Sequence, residues 1–338
     1  MKRNRNDVKK ILLLTTGGTI ASRQGAQGLE PQIVPEALLT YVPDLCAHYE
    51  IDCKPVLNLD SSNIQAEEWQ LLARAIWQCR EDYDGFVVTH GTDTMAYTAS
   101  MLSYMLMDCL KPVVLTGSQM PIDHLLTDAR GNLYTAFAAV EAGIQGVSVA
   151  FAHKVLRGTR AVKVRTMGFE AFESVNAPVL AQVRADGLHV EKHVPAPVRQ
   201  NATLYDAVCT DVCLLKLIPS TNPELFDAFL HMHYRGLVLE AFGAGGMHFV
   251  RRDLLQKLRQ LSDAGISVVV CSQCLYEKSD LSLYEVGQRL LSCGVIPGRD
   301  MTSEAAVTKL MWALGQYDDA ARVRKVFARA LAGEITTP

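Results

Sequence analysis

Short apolar runs that do not alternate with polar residues recur along the chain, separated by stretches of helical pattern, and this rhythm narrows the possible folds more than any other feature. The runs are KKILLLTT (9–16), GFVVTH (85–90), KPVVLTGS (111–118) and GVSVAFA (146–152), with helical patterns near 65–80, 94–107 and 128–141 between them. A strand with one wet face alternates; a run of four to six Val, Ile and Leu residues needs cover on both faces, which crossover helices on a parallel sheet provide. The expectation is a doubly wound α/β domain. Residues 184–206 then lose the rhythm and carry Pro195 and Pro197, which reads as a linker. A second, shorter alternation follows: VCLLKLIP (212–219), GLVLEAFGAGG (236–246), a helix near 250–263, GISVVVCSQC (265–274), and helices from about 284 and over 303–331. At 338 residues the chain fits two α/β domains. The larger, 1–190, has a doubly wound, mostly parallel sheet, and a linker, 191–212, leads to a smaller α/β domain over 213–338.

Composition excludes several function classes. A formal net charge of -3 lacks the basic excess of a nucleic-acid binder, which favours a small-molecule partner. The first apolar run, Ile11 to Leu14, is shorter than the roughly seven residues of a signal-peptide core, and it reads as the first core strand. No run approaches the roughly 18 apolar residues of a membrane span, so a cytoplasmic location is expected. Nine cysteines, an odd number spread through apolar segments, fit reduced buried thiols rather than a disulfide framework. Cys271 and Cys274 have C-x-x-C spacing, but no second pair and no adjacent histidine, so core packing outweighs zinc or redox use.

The polar groups collect where the strands end. In an open α/β sheet, ligands bind beyond the carboxyl ends of the strands, at the point where strand order reverses. The first strand ends in Thr15, Thr16, Gly17, Gly18 and Thr19, the next in Thr89, His90, Gly91, Thr92 and Asp93, and the third in Thr116, Gly117, Ser118 and Gln119. Glycines admit close backbone approach and free N–H donors, and a following helix adds partial positive charge, so such a crevice suits an anion or a developing oxyanion. The simpler reading of Thr92, Asp93 or Thr94 is a helix cap. One cap is enough, however, and GTDT offers three candidates. Threonine and serine become nucleophiles only beside a base, and a lysine oriented by an aspartate can be that base. There is no G-x-S-x-G elbow, no Walker loop, and GAGGMH (243–248) lacks dinucleotide-binding spacing.

Two long signatures then identify a resemblance. TTGGTIAS (15–22) and DGFVVTHGTDTMAYTASML (84–102) resemble those of the bacterial-type L-asparaginases, most of all the cytoplasmic type I branch. The likeness extends over the chain through LDSSNI (59–64), KPVVLTGSQMPI (111–122), RGTRAVKV (157–164), GFEAFESVNAP (168–178), SQC (272–274) and GRDMTSEAAVTKL (298–310). It implies an L-asparagine amidohydrolase, producing aspartate and ammonia, with L-glutamine as a weaker possible substrate. By the same resemblance Thr19 is the nucleophile, and Thr92, Asp93 and Lys163 form a threonine–aspartate–lysine group. Asp93 also receives the substrate α-ammonium, while Ser61, with Asp60 and Ser62 around it, holds the α-carboxylate. No metal or organic cofactor is implied, no nucleic acid and no membrane, and a homodimer or a dimer of dimers is. From residue pattern alone Lys163 reads as a surface lysine in a basic stretch and Ser61 as a cap for the helix near 65.

The chain departs from that pattern at several points. Many relatives carry a tyrosine on the loop after TGGTI, where this chain has Leu29, and type I enzymes often show G-V-G-N-x-P where this chain has Gly246 in GAGGMH. Some type I enzymes are activated by asparagine through an arginine, a threonine and a cysteine. Cys274 is kept, but Glu240 and Val162 stand at the other two positions, and a glutamate repels a carboxylate that an arginine would pair. No activation through that site is expected. The amide-hydrolysing subunits of tRNA-dependent amidotransferases resemble the family too but carry a long N-terminal extension, whereas here TGGTI falls within the first 20 residues. A third reading, a binding protein that keeps the fold without turnover, has only Leu29 in its favour.

Overall fold

The computed structural model describes residues 8–25, 28–31, 33–191 and 202–337. It divides into two units, residues 1–206 and 207–338. In the first unit the strands are β1 (Lys10–Gly17), β2 (Ser22–Gly25), β3 (Gly28–Pro31), β4 (Glu50–Leu59), β5 (Gly85–Thr89) and β6 (Pro112–Thr116). They continue with β7 (Gly146–Phe151), β8 (Lys154–Arg157), β9 (Ala161–Lys163), β10 (Phe172–Ser174), β11 (Ala181–Arg184) and β12 (Gly187–Val190). Its helices are α1 (Pro35–Leu39), α2 (Pro43–His48), α3 (Ala66–Gln78), α4 (Met95–Met105) and α5 (Ala129–Glu141).

Eight of these strands form one sheet in the order β12-β11-β8-β7-β6-β5-β1-β4. The run from β7 to β4 is parallel, and β8, β11 and β12 add antiparallel strands at the other edge. The mostly parallel doubly wound sheet expected from the unalternated runs is therefore present. Cover on both faces explains the runs: Ile11, Leu13, Val87 and Val114 bury against Leu133, Phe137 and Val140 of α5. Their equally buried neighbours Leu12, Leu14, Phe86 and Val88 point, by the pleat, to the opposite face. The chain passes from β1 to β4 on one side and returns to β5 on the other, so strand order reverses at β1.

Two sequence readings need correction here. The linker read from residue 184 begins too early, because Ala181–Arg184 and Gly187–Val190 pair as an antiparallel hairpin completing the sheet; Pro195 and Pro197 lie outside the described residues. The cysteines are also not uniformly buried: Cys109, Cys209, Cys271 and Cys293 are, but Cys46 and Cys274 are exposed.

The second unit carries β13 (Val212–Lys216), β14 (Gly236–Ala241), β15 (Ser267–Ser272) and β16 (Ile296–Pro297) as one parallel sheet in that order. Its helices are α6 (Leu225–His231), α7 (Leu254–Asp263), α8 (Glu285–Ser292), α9 (Ser303–Gln316) and α10 (Ala320–Phe327). Phe226, Leu254, Leu258, Leu261 and Leu290 close one face over Leu237, Leu239, Val268 and Val270. Among the described residues no helix is long and apolar enough to cross a membrane.

Candidate active site

The crevice outside β4, β1 and β5 starts from Gly17 and Gly18; at Gly17, φ is 102° and a Cβ would lie 2.5 Å from the Leu59 carbonyl oxygen. Gly18 has φ 76°, and a Cβ built there would lie 2.5 Å from the backbone nitrogen of Gly91. The φ and the space both demand glycine. Gly18 N–H donates to the Leu59 carbonyl at 3.1 Å, so the end of β1 is threaded between the ends of β4 and β5. Thr19 follows in a 3-10 turn, Thr19–Ala21, anchored by the buried Ile20 and Ala21, and is itself half-buried. The turn is closed by Ala21 N–H and the Ser22 hydroxyl, both donating to Gly18 O.

The end of β5 is held from beneath. Fully buried His90 donates from Nδ1 to the Gly91 carbonyl at 2.7 Å; its Nε2 then accepts from the Thr98 hydroxyl at 2.9 Å, and that oxygen accepts from Trp69 Nε1 at 2.9 Å. Burial lowers the His90 pKa to about 4, with the Gly91 hydrogen bond acting in the opposite sense, so the ring is neutral at neutral pH.

Lys163, at the end of β9, reaches back to this loop. Its Nζ donates to Thr92 Oγ1 at 2.8 Å and to Asp93 Oδ1 at 2.6 Å. Only 16 % of the lysine side chain is exposed, whereas the Asp93 carboxylate is 64 % exposed and open to a cationic group. The surface-lysine reading of Lys163 is overturned: a β-hairpin with β10, not a flexible stretch, delivers it. The capping readings fall as well. Helix α4 has no side-chain cap from its N-cap residue Thr94, and α3 is closed by Glu68, which accepts from the Gln65 N–H at 2.8 Å, not by Ser61.

Ser61, 2 % exposed, lies in the 3-10 turn Ser61–Asn63 that follows β4. Asp60 orders this turn by accepting from Ser62 N–H at 2.8 Å and from the Ser62 hydroxyl. A Cβ on Gly91 would come within 2.7 Å of Ser61 Oγ, so the turn packs directly on the loop bearing Thr92. Lys163, Thr92 and Asp93 are thus bonded together, Ser61 packs beside them, and Thr19 emerges from the strand between. Asp60 and Ser62 bond each other on the exposed rim.

Gln119 stands at a strand end in the sequence, with no role legible there. Its carboxamide accepts from Thr92 Oγ1 at 3.2 Å and donates to the Thr166 and Gly168 carbonyls at 3.1 and 3.2 Å. Asp128 fixes the loop beneath by accepting from the N–H groups of Gln119 and Met120, and Asn132 of α5 donates to the Gly117 carbonyl at 3.0 Å. An acidic residue and an asparagine one helical turn apart carry no signal of that job. A hydroxyl held between an ammonium and an amide oxygen, beside a carboxylate and a second threonine, can pass a proton to or from a reacting group.

Comparison with known proteins shows the family. A family model described as Asparaginase, N-terminal matches residues 10–196, and one described as Glutaminase/Asparaginase C-terminal domain matches residues 211–327. The chain belongs to the L-asparaginase family. It is 42 % identical over 329 residues to the L-asparaginase of Thermococcus kodakarensis, covering 97 % of this chain and 99 % of that one. It is 36 % identical over 341 residues to L-asparaginase 1 of Escherichia coli K12, covering 97 % and 98 %. The crystal structure of L-asparaginase I from Vibrio cholerae superposes with a TM-score of 0.86 at 30 % identity, covering 98 % of this chain and all of that one. Type I asparaginases are thus among its relatives, as the two signatures imply.

Against that asparaginase background, Leu29 lies on β3 in register with Gln24. Gly246 closes a turn in which the N–H groups of Gly245 and Gly246 both donate to the Phe242 carbonyl, so they are not free to cradle a phosphate. Glu240, at the end of β14, accepts from Ser303 Oγ at 2.5 Å and lies 3.8 Å from Lys216 Nζ. Burial first, and the Glu240 charge second, push the Cys271 thiol up to about 12, a packing cysteine rather than a thiolate.

Proposed function

We propose that this asparaginase-family chain hydrolyses the side-chain amide of L-asparagine to L-aspartate and ammonia, with Thr19 as nucleophile. The observation that carries the reading is the pair of contacts from Lys163 Nζ, 2.8 Å to Thr92 Oγ1 and 2.6 Å to Asp93 Oδ1. In the first half-reaction Thr19 Oγ adds to the amide carbon, its proton passes to the amide nitrogen, and ammonia leaves an aspartyl ester. In the second, water adds to the ester carbonyl and loses a proton through Thr92, with Lys163 holding that hydroxyl in place. Thr19 takes its proton back as aspartate departs. Asp93, still exposed on its outer side, receives the α-ammonium, and the turn Asp60–Ser62 receives the α-carboxylate through Ser61, its shape fixed by Asp60 and Ser62. Backbone N–H groups near Thr92, at the start of α4, stabilise the oxyanion.

Asparagine is the preferred substrate in this reading, with glutamine slower, since one methylene in a fitted pocket is worth about 1–3 kcal/mol. Nine free thiols suit the reducing cytoplasm. The working form is a homodimer or a dimer of dimers, as the type I resemblance implies. The test is ammonia release from L-asparagine and L-glutamine by the wild type and by Thr19→Ala. Asparagine hydrolysis that falls by about a thousandfold or more in the variant supports the reading. Inactivity of the wild type on both amides, or an active Thr19→Ala, contradicts it.

A further inference from the structure

Of the three polar residues in GTDT, Thr92 and Asp93 meet Lys163, whereas Thr94 has a different attachment. It stands at the start of α4, its carbonyl accepting the first helical bond from Thr98 N–H at 3.0 Å, so its backbone belongs to a rigid element. Its hydroxyl does not cap that helix. Instead Thr94 Oγ1 donates to the Ser61 carbonyl at 2.7 Å. The same carbonyl accepts from Ile64 N–H at 3.1 Å, which closes the 3-10 turn internally, so the Thr94 bond ties the turn to something outside itself.

The topology makes this bond unusual. Ser61 follows β4 and Thr94 follows β5, and those strands are not neighbours, because β1 lies between them. Two strand spacings separate them, roughly 10 Å in the sheet. The bond therefore spans the mouth of β1, beside the glycines that lead to Thr19. Gly91 supports the turn from the same side, with no room for even a Cβ between it and Ser61.

We infer that Thr94 is a positioning residue that sets Ser61, and hence the α-carboxylate subsite, at a fixed reach from the Thr92–Asp93–Lys163 group. This rests on the asparagine-hydrolase reading above. Because the tether ends on Ser61 and not on Thr92 or Asp93, its loss should loosen substrate binding more than it slows the chemistry.

The experiment compares initial rates of wild type, Thr94→Val and Thr94→Ser on L-asparagine and on 3-aminopropanamide, which has the amide and amine but no carboxylate. Thr94→Val keeps the shape and removes the donor. It should raise KM for asparagine about five- to tenfold, the effect of one lost neutral hydrogen bond, with kcat within about twofold. The inhibition constant of L-aspartate should rise in parallel, Thr94→Ser should restore both, and kcat/KM on 3-aminopropanamide should match the wild type. Gly91→Ala, which presses a Cβ on Ser61 from the same loop, should raise the same KM and stands in for Thr94→Val where that variant folds poorly. An unchanged KM in Thr94→Val, a kcat loss without a KM change, or an equal loss on 3-aminopropanamide overturns the inference. A wild type inactive on asparagine fails earlier and visibly, before any variant is compared, and removes both the functional reading and this one.

Discussion

His90 gives the stability of the fold a measurable dependence on pH. Unfolded, its imidazole takes up a proton near 6.5; folded, burial delays that to about 4. Between these values the unfolded chain binds the extra proton, so the contribution is fully present above about pH 6.5 and is lost as pH falls toward 4. The loss is roughly 3 kcal/mol. Urea denaturation at pH 7 and pH 4.5 should show that this acid-side loss is smaller in His90→Gln than in the wild type; equal losses would mean that His90 does not carry it. The residues of the candidate site were legible in unequal measure. Thr19, Thr92 and Asp93 stand at strand ends, where a hydroxyl and a carboxylate cluster is visible in the sequence. Lys163 was not, because its neighbourhood reads as a basic surface stretch and only the fold of β9 against β10 turns it inward. Gln119 and Thr94 each join the cluster through a hydrogen bond to a residue 27 or 33 positions away, Thr92 and Ser61, a distance over which sequence pattern carries no signal.

At the scale of elements, unalternated strands and amphipathic helices were readable because two-sided burial leaves a periodic trace. The ten-residue edge strand β4 was not, since it pairs only with β1, alternates exposed and half-buried positions, and contains Lys54 and Pro55. The run 303–331 likewise breaks into α9 and α10, where Asp319 caps the second helix by accepting from Ala321 N–H at 2.9 Å. Gly18→Ala would place a Cβ against Gly91 at a φ of 76°, and should destabilise the first unit by about 2–4 kcal/mol, read as a lower denaturation midpoint. In the second unit, fully buried Lys309 of α9 pairs with fully buried Glu334 at 2.5 Å, and Glu334 also accepts from Leu331 and Ala332 N–H. Lys309→Met alone leaves that carboxylate without its cation and should cost about 3–5 kcal/mol, whereas Lys309→Met with Glu334→Gln should recover most of the loss. Additive losses in the double variant would contradict the account of this pair.

At the scale of the whole molecule, the division into two α/β units was legible from the interrupted rhythm, although the hairpin of β11 and β12 extends the first unit's sheet beyond the point where the rhythm fades. Glu240 bears on regulation: it already bonds Ser303, and its charge opposes a carboxylate ligand. Asparagine saturation should therefore be hyperbolic; sigmoidal kinetics abolished by Cys274→Ala would show activation after all. Sedimentation should give two or four times the chain mass. In the proposed reaction Thr19 forms an ester with the substrate. This step is tested most directly by mixing enzyme with L-asparagine, quenching in acid within the first turnovers, and mapping the digest by mass spectrometry. An aspartyl group is expected on the peptide bearing Thr19 and absent in Thr19→Ala. An aspartyl group on the Thr92 peptide, or ammonia release that survives in Thr19→Ala, would contradict it.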